Sequence, residues 1–171
     1  MKTIRSWISV AICTAVLFSL GSAGVQSEDQ EFVLKAAEGG MLEVELGNLA
    51  VKSGTSPKVK EYGKMMVKDH SKVNQELTQL AGKKQITIPT ALSAAGKRQL
   101  DSLASQQGEE FDLLYTNMMI ASHEQTIGLF QTESNKGQDK ELKTWADSKI
   151  PALKKHLDHA KTLFAAGTQT R

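Results

Sequence analysis

The sequence predicts an all-α fold, a four-helix bundle whose second and third helices are joined by a long crossover containing a short extra helix. Three observations predict it. Four long segments carry apolar residues at helical spacing. The connections between them run short, long, short. No alternating period-two strand pattern and no Gly-rich phosphate loop interrupts them. That order of connections is the ferritin-like one.

The first segment runs from about Asp29 to Ser53, and its stripe collects Phe32, Val33, Ala36, Gly40, Glu43, Gly47 and Ala50. Small residues dominate this stripe, so a neighbouring helix can approach closely. The second begins with Ser56 as N-cap and Pro57 at the first helical position, and lines up Val59, Tyr62, Met66, Val67, His70, Val73, Leu77 and Ala81. Gly54 supplies the turn between them, which makes a tight antiparallel pair.

The third segment starts after Gly108, with Glu109, Glu110 and Asp112 where the helix dipole favours acid. Its stripe is read as Phe111, Leu114, Tyr115, Met118, Ser122, Thr126 and Leu129. The break at residues 133–138, ESNKGQ, introduces the fourth, with Leu142, Trp145, Ala146, Ile150, Leu153, His156, Leu157, Ala160 and Phe164. Pro151 is expected to kink or restart this helix. Residues 82–108 are long enough to travel the length of a bundle, and hold one amphipathic piece from about Ser93 to Ser105.

Ahead of the bundle, Lys2 and Arg5 precede an apolar run from Ile8 to Leu20 and small residues at 21–24. This is the layout of a secretory signal peptide, with cleavage expected near Ala23; left uncleaved, the run would anchor the chain in the inner membrane. The expected organisation is a signal peptide at 1–23, a short tail at 24–28, the bundle at 29–165 and a disordered tail at 166–171. Removing the leader takes away Cys13, the single cysteine, and leaves 19 basic residues (21 − 2) against 19 acidic ones. Disulfides, thiolate nucleophiles and Cys-ligated metal sites are thereby excluded. A balanced charge argues against nucleic acid and anionic lipid, and no stable membrane insertion is expected of the mature chain. The partners left to expect are an envelope protein or a second copy.

Polar residues on the apolar stripes carry the chemistry. Glu43 lies at the middle of the first stripe, while Glu45 points about 200° away, to solvent. A carboxylate on a core face is costly without a partner. His70 holds the same central place on the second stripe. His123 falls about 100° from the centre of the third stripe, at its edge, His156 about 60° from the centre of the fourth, and His159 about 120°, facing solvent. Each long helix thus offers one ligand near mid-bundle, and imidazole with carboxylate suits zinc, iron or copper. The alternative is a buried Glu43–His70 hydrogen-bonded pair that sets helix register without metal.

Two stretches echo each other, KMMVKDHS at 64–71 and NMMIASHE at 117–124. Met66 stands four residues before His70 and Met119 four before His123, the spacing that stacks side chains on one helix face. Thioether and imidazole together suit Cu(I). The first copy puts both residues on the core face and the second leaves His123 at the edge, so the methionines read as packing. Asp69-His70-Ser71 is not a catalytic triad, because helix neighbours point apart. Tyr62 and Tyr115 lie on core faces, where they pack or hydrogen-bond Glu43 or a histidine.

With the stripes placed, EFVLKAAEGGMLEVELGNLA, VKEYGKMMVKDHSKVNQEL, FDLLYTNMMIASHEQTIGLF and IPALKKHLDHAKTL resemble domain-of-unknown-function family 4142. The resemblance runs from about Asp29 to Leu163 and rests on Glu-Val-Glu-Leu-Gly, Met-Val-x-Asp-His, Phe-Asp-x-x-Tyr and Pro-x-x-x-x-His in combination. It implies a ferritin-like bundle in a secreted bacterial protein, often labelled an outer-membrane protein, with no established activity. That label fits poorly here, since no strand pattern for a transmembrane barrel is present. The Glu-x-x-His pairs of di-iron enzymes are also missing: Val67, Ile120 and Leu153 stand three residues before the histidines.

The expectation is therefore a non-catalytic periplasmic bundle with an envelope or stress-related role. It would hold one divalent metal, zinc, iron or copper, through Glu43, His70, His123 and His156. Met66, Asp69, Tyr62, Tyr115 and Met119 would surround or pack near that site. A purely structural bundle is the alternative, and a small redox-metal enzyme the third reading.

Overall fold

A computed structural model describes residues 25–169; the expected signal peptide and its cleavage near Ala23 fall outside the described residues. Five helices follow in order: α1 (Val25–Ser53), α2 (Pro57–Lys83), α3 (Ala94–Ala104), α4 (Gly108–Lys136) and α5 (Lys140–Gln169). The four long helices make the bundle, and α3 lies in the crossover, as the sequence predicts. Two expected tails shorten: α1 already includes residues 25–28, and α5 runs on through 166–169. Pro151 does not restart the fourth helix, which continues through it. None of the described helices is long and apolar enough to cross a membrane.

Local chemistry explains the ends. Ser56 caps α2 by accepting from the Lys58 amide at 3.3 Å, with Pro57 opening the first turn. Ser93 caps α3 through the Gly96 amide at 3.1 Å. Gln107, before α4, makes no side-chain cap; instead Gly108 turns the chain at φ +62°, a conformation that costs glycine little.

Three carboxylates tie the connections to the helices. Asp112 of α4 accepts from the Thr55 and Ser56 amides at 2.9 and 2.7 Å, so α4 begins beside the α1–α2 turn. Asp29 of α1 accepts from the Gln138 and Asp139 amides, both at 2.9 Å, so the α4–α5 turn sits beside the start of α1. Glu38 accepts from the Ser93 amide at 2.9 Å and holds the crossover against α1. These ties fix the directions: α1 and α5 run one way, α2 and α4 the other. Around the bundle axis the order is α1, α2, α5, α4, and every neighbouring pair is antiparallel.

The α1–α2 contact is closest at Gly47 and Gly63. A Cβ on Gly47 would stand 3.0 Å from the Gly63 carbonyl oxygen, and one on Gly63 2.8 Å from that of Gly47. The core divides into two apolar clusters. One, toward the start of α1, holds Phe32, Val33, Leu77, Phe130 and Leu142. The other holds Leu46, Tyr62, Met66, Leu103, Phe111, Tyr115 and Met119. Between them, at mid-height, lie the buried polar residues Glu43, His70, His123 and His156, one from each long helix.

A second acidic feature sits at the end beside the α4–α5 turn. Glu133 is buried, and burial together with the neighbouring Asp29 and Asp139 carboxylates raises its pKa to about 7. A carboxyl raised in the folded state favours folding at low pH, and that advantage is lost as pH climbs from the ordinary 4.5 through about 7. Glu133→Gln keeps the neutral shape and should stabilise the protein by roughly 1–3 kcal/mol at pH 8, while leaving it near wild type at pH 4.5. Gly63→Ala should do the reverse at any pH, forcing the α1 and α2 backbones apart at a cost of about 1–3 kcal/mol. Thermal melts of the two variants at both pH values check both expectations.

Candidate metal centre

Each of the four long helices delivers one polar side chain to the mid-height layer. Glu43 is 1 % exposed, His70 3 %, His123 0 % and His156 6 %. Sequence periodicity centres Glu43 and His70 correctly, but His123 is not at the edge of its stripe. The buried face of α4 is Phe111, Tyr115, Thr116, Met119, His123, Ile127 and Phe130. Leu114, Met118 and Leu129, read from sequence as core, are only partly buried; Leu114 and Met118 line a hollow with Ala95 and Ser102 of α3, and Met118 and Leu129 a groove with Ile88 of the crossover. A helix covered on two sides carries apolar residues nearly all round, and its stripe then has no clear centre. The echo is corrected with it: Met66 and Met119 are both fully buried, and both motif copies face the core.

The three imidazoles form a nearly equilateral triangle, with ring centroids 5.5 Å apart for His70–His123, 5.4 Å for His70–His156 and 5.5 Å for His123–His156. In each ring one nitrogen is already held. His70 Nδ1 lies 2.9 Å from Glu43 Oε2. His123 Nδ1 lies 2.8 Å from the Met119 carbonyl oxygen and 3.5 Å from Glu43 Oε1. His156 Nε2 lies 3.1 Å from Asp69 Oδ2. All of these partners are acceptors, so the held nitrogens carry the protons. The remaining nitrogens, His70 Nε2, His123 Nε2 and His156 Nδ1, are buried without a hydrogen-bond partner.

One ligand atom from each histidine lies within 4.8 Å of the others. Glu43 does not join this set. Its oxygens are taken by His70 Nδ1 and by the Ser122 hydroxyl, which donates to Oε1 at 2.8 Å. Its position is that of a carboxylate behind an imidazole, the arrangement that orients a metal-binding histidine. Asp69 has the same relation to His156, although its side chain is 43 % exposed. Three imidazoles converging from three helices, each with one nitrogen unpartnered, fit a first-row ion. Bonds of about 2.0–2.1 Å bring ligand nitrogens to roughly 3.4 Å from one another, so the set of one nitrogen per ring would close by at most about 1.4 Å.

The tyrosines do not reach the carboxylate. Tyr62 donates to the His156 backbone carbonyl at 3.1 Å, and the Tyr115 hydroxyl is buried with no partner. His159 is exposed, its ring edge-on to Tyr62 at 5.0 Å. Ser122 and the Met119 carbonyl were not expected at the site: a serine on an apolar face is a signal that a partner is near, but a backbone acceptor leaves no trace in sequence.

Electrostatics divides the layer. Burial alone would raise the Glu43 carboxyl, but His70 and Ser122 outweigh it and hold its pKa down at about 2. Burial likewise opposes charge on His70, and Glu43 overcomes that, leaving its pKa raised. His123 is lowered, chiefly by burial. His156 is lowered to about 4 by burial and by the other two rings, with Asp69 opposing.

A histidine lowered in the folded state contributes stability that is present above the ordinary 6.5 and lost as pH falls toward about 4. The metal-free protein should therefore lose stability between pH 6.5 and 4, where the unfolded chain takes up protons that His156 refuses. His156→Gln should flatten that slope by an amount worth up to roughly 3 kcal/mol, read from chemical denaturation across the interval.

The fold recurs in solved structures. CopM in the Cu(I)-bound form superposes with a TM-score of 0.68 at 17 % identity, over 81 % of this chain and 96 % of that one. The Cu(II)-bound form gives 0.67 and the Ag-bound form 0.66, each at 17 % identity with the same coverage. Likeness at this identity is likeness of fold. No curated protein matches the sequence. A family model described as "Domain of unknown function (DUF4142)" matches residues 19–163, a span that takes in every residue of the polar layer, and the chain belongs to that family.

Proposed function

We propose that this protein is a non-catalytic metal-binding bundle of the bacterial periplasm that holds one copper ion on His70, His123 and His156. The observation that carries the reading is that three buried imidazoles meet in one layer, each with one nitrogen held by a carboxylate or a carbonyl and the other without a protein partner. Buried polar atoms are normally hydrogen-bonded. Three left open in one layer are the chemistry of a ligand set.

Copper is favoured over zinc or iron by the donors around the layer. Imidazole accepts both Cu(II) and Cu(I), and the thioethers of Met66 and Met119, one helical turn from His70 and His123, suit the softer Cu(I). CopM, of like fold, is described in Cu(I)-, Cu(II)- and Ag-bound forms, which supports the same choice. Glu43 and Asp69 supply negative charge just behind the ligands, and His70 would exchange its Nε2 proton for the ion. The basic leader followed by an apolar run supports export, and an envelope partner or stress-related role follows from that location.

A structural reading is favoured by the 2.9 Å Glu43–His70 pair, which by itself would set helix register. Untagged protein exposed to copper and then desalted separates the two. About one equivalent by elemental analysis, with thermal stability that falls on adding chelator, is expected. His123→Ala should weaken binding at least 100-fold and Glu43→Gln by about 10- to 100-fold, the range for removing a partner behind a ligand. Absence of stoichiometric metal, with melting unchanged by chelator, sinks the metal reading.

A further inference from the structure

The three histidines are buried, yet not equally enclosed. A cavity of about 320 Å³ opens between α2 and α5 and is lined by Asp69, His70, Asn74, Ala152 and His156, with Glu43 at its floor. Exposure falls inward along this path. The Asp69 side chain is 43 % exposed, His156 is 6 %, His70 3 % and His123, beyond the cavity, 0 %. Three buried polar atoms without partners belong to residues along it: Asn74 Oδ1, His156 Nδ1 and His70 Nε2. At the rim Lys149 is paired with Glu76, so that lysine does not neutralise Asp69.

Neither of two neighbouring cavities is lined by a histidine. The larger groove between α1, α4 and the crossover, about 1100 Å³, touches none of the histidines. It stops at Ser122, whose hydroxyl is bonded to Glu43. The cavity beside the α1–α2 turn is lined by Ser56, Asp112 and Leu163, and buried Tyr62, Tyr115, Met66 and Met119 lie between that turn and the polar layer. Of the four seams between long helices, α2–α5 is the sparsely packed one beside the histidines.

We infer that the ion is exchangeable cargo that enters and leaves sideways through the α2–α5 seam, met at the mouth by the Asp69 carboxylate and passed to His156 and then inward. This rests on the three-histidine reading. Asp69 is suited to it: a hard, partly hydrated oxygen donor captures a hydrated cation, and its Oδ2 accepts from Nε2 of His156 at 3.1 Å, the ring whose buried Nδ1 is the open nitrogen. Asn74 Oδ1 offers a further oxygen on the inner wall.

Ala152 is exposed on the cavity wall and makes no part of the ligand set, so a bulky replacement narrows the mouth without disturbing the core. Ala152→Phe should leave one equivalent of Cu(II) bound while slowing both uptake and release to EDTA at least tenfold, followed by stopped-flow absorbance. Ala121→Phe, on the wall of the α1–α4 groove, should leave both rates within twofold of wild type. Ser148→Leu, at the same mouth, serves if Ala152→Phe does not fold. Unchanged rates in the mouth variant, or equal slowing in both, overturn the route while leaving the metal site standing. Wild-type protein that binds no Cu(II) overturns the site and the route together.

Discussion

The structure depends on a carboxylate in the middle of its core. Glu43 is 1 % exposed, and an ionised carboxylate in such a place is tolerated only when hydrogen-bonded and charge-paired. His70 from α2 and Ser122 from α4 meet it, and His123 Nδ1 approaches its second oxygen at 3.5 Å. One side chain of α1 thereby fixes the height of two other helices. The apolar clusters on either side then have no freedom to slide, because any shift that improved their packing would strand the carboxylate. Glu43 also makes the crowd of imidazoles possible. Three rings about 5.5 Å apart repel as they protonate, and a fixed negative charge beside them lets one ring carry a proton while His156 stays neutral.

The methionine–histidine echo takes its meaning from chain direction. Helices α2 and α4 lie diagonally across the bundle and run the same way, because the crossover carries the chain back along the bundle before α4 begins. Two copies of one motif on parallel helices put Met66 and Met119 toward the same end and His70 and His123 together in the layer below. With a short connection between them α4 would run the other way, and the copies would place a methionine on each side of the histidines. The long connection at residues 84–93 and α3 therefore do more than join helices. They bring like residues into register.

How much of this was readable from sequence differs by helix. Stripes on α1 and α2 were legible because each of these helices has one clear apolar face and a polar one opposite, as Glu45 shows by its exposure. The limits of α3 were legible from Ser93 and Ser105. On α4 the method fails for a physical reason: Leu114 and Met118 face the crossover, Tyr115 and Met119 the core, and composition alone cannot rank two covered faces. Long-range ties are beyond periodicity altogether. Asp29 and Asp112 look like ordinary acids of helix first turns, yet their carboxylates cap turns more than fifty residues away. The same holds for Asp69 and His156, 87 residues apart. Glu43 was legible as a misfit, an acid on a stripe of small and apolar residues, and its pairing with His70 as an alternative, but not the Ser122 hydroxyl that takes its other oxygen.

The placement of the site follows from where the bundle is tight. Gly47 and Gly63 close the α1–α2 seam at backbone distance, and the crossover with α3 covers the α1–α4 seam. The α4–α5 pair packs along its whole length behind a short turn held by Asp29. Among the described residues, only the α2–α5 seam has neither a turn joining its helices nor a segment lying across it. Long charged side chains, Glu76 and Lys149 among them, bridge it at the surface instead. A polar centre in a helical core needs solvent contact if its contents are to exchange, and the cavity at this seam reaches His70 and His156 past Phe130 and Leu153 of the first apolar cluster. The most sparsely packed seam between neighbouring long helices is the one beside His70 and His156. On the proposed reading, the three rings keep their depth while the path to solvent runs along the α2–α5 edge of the layer.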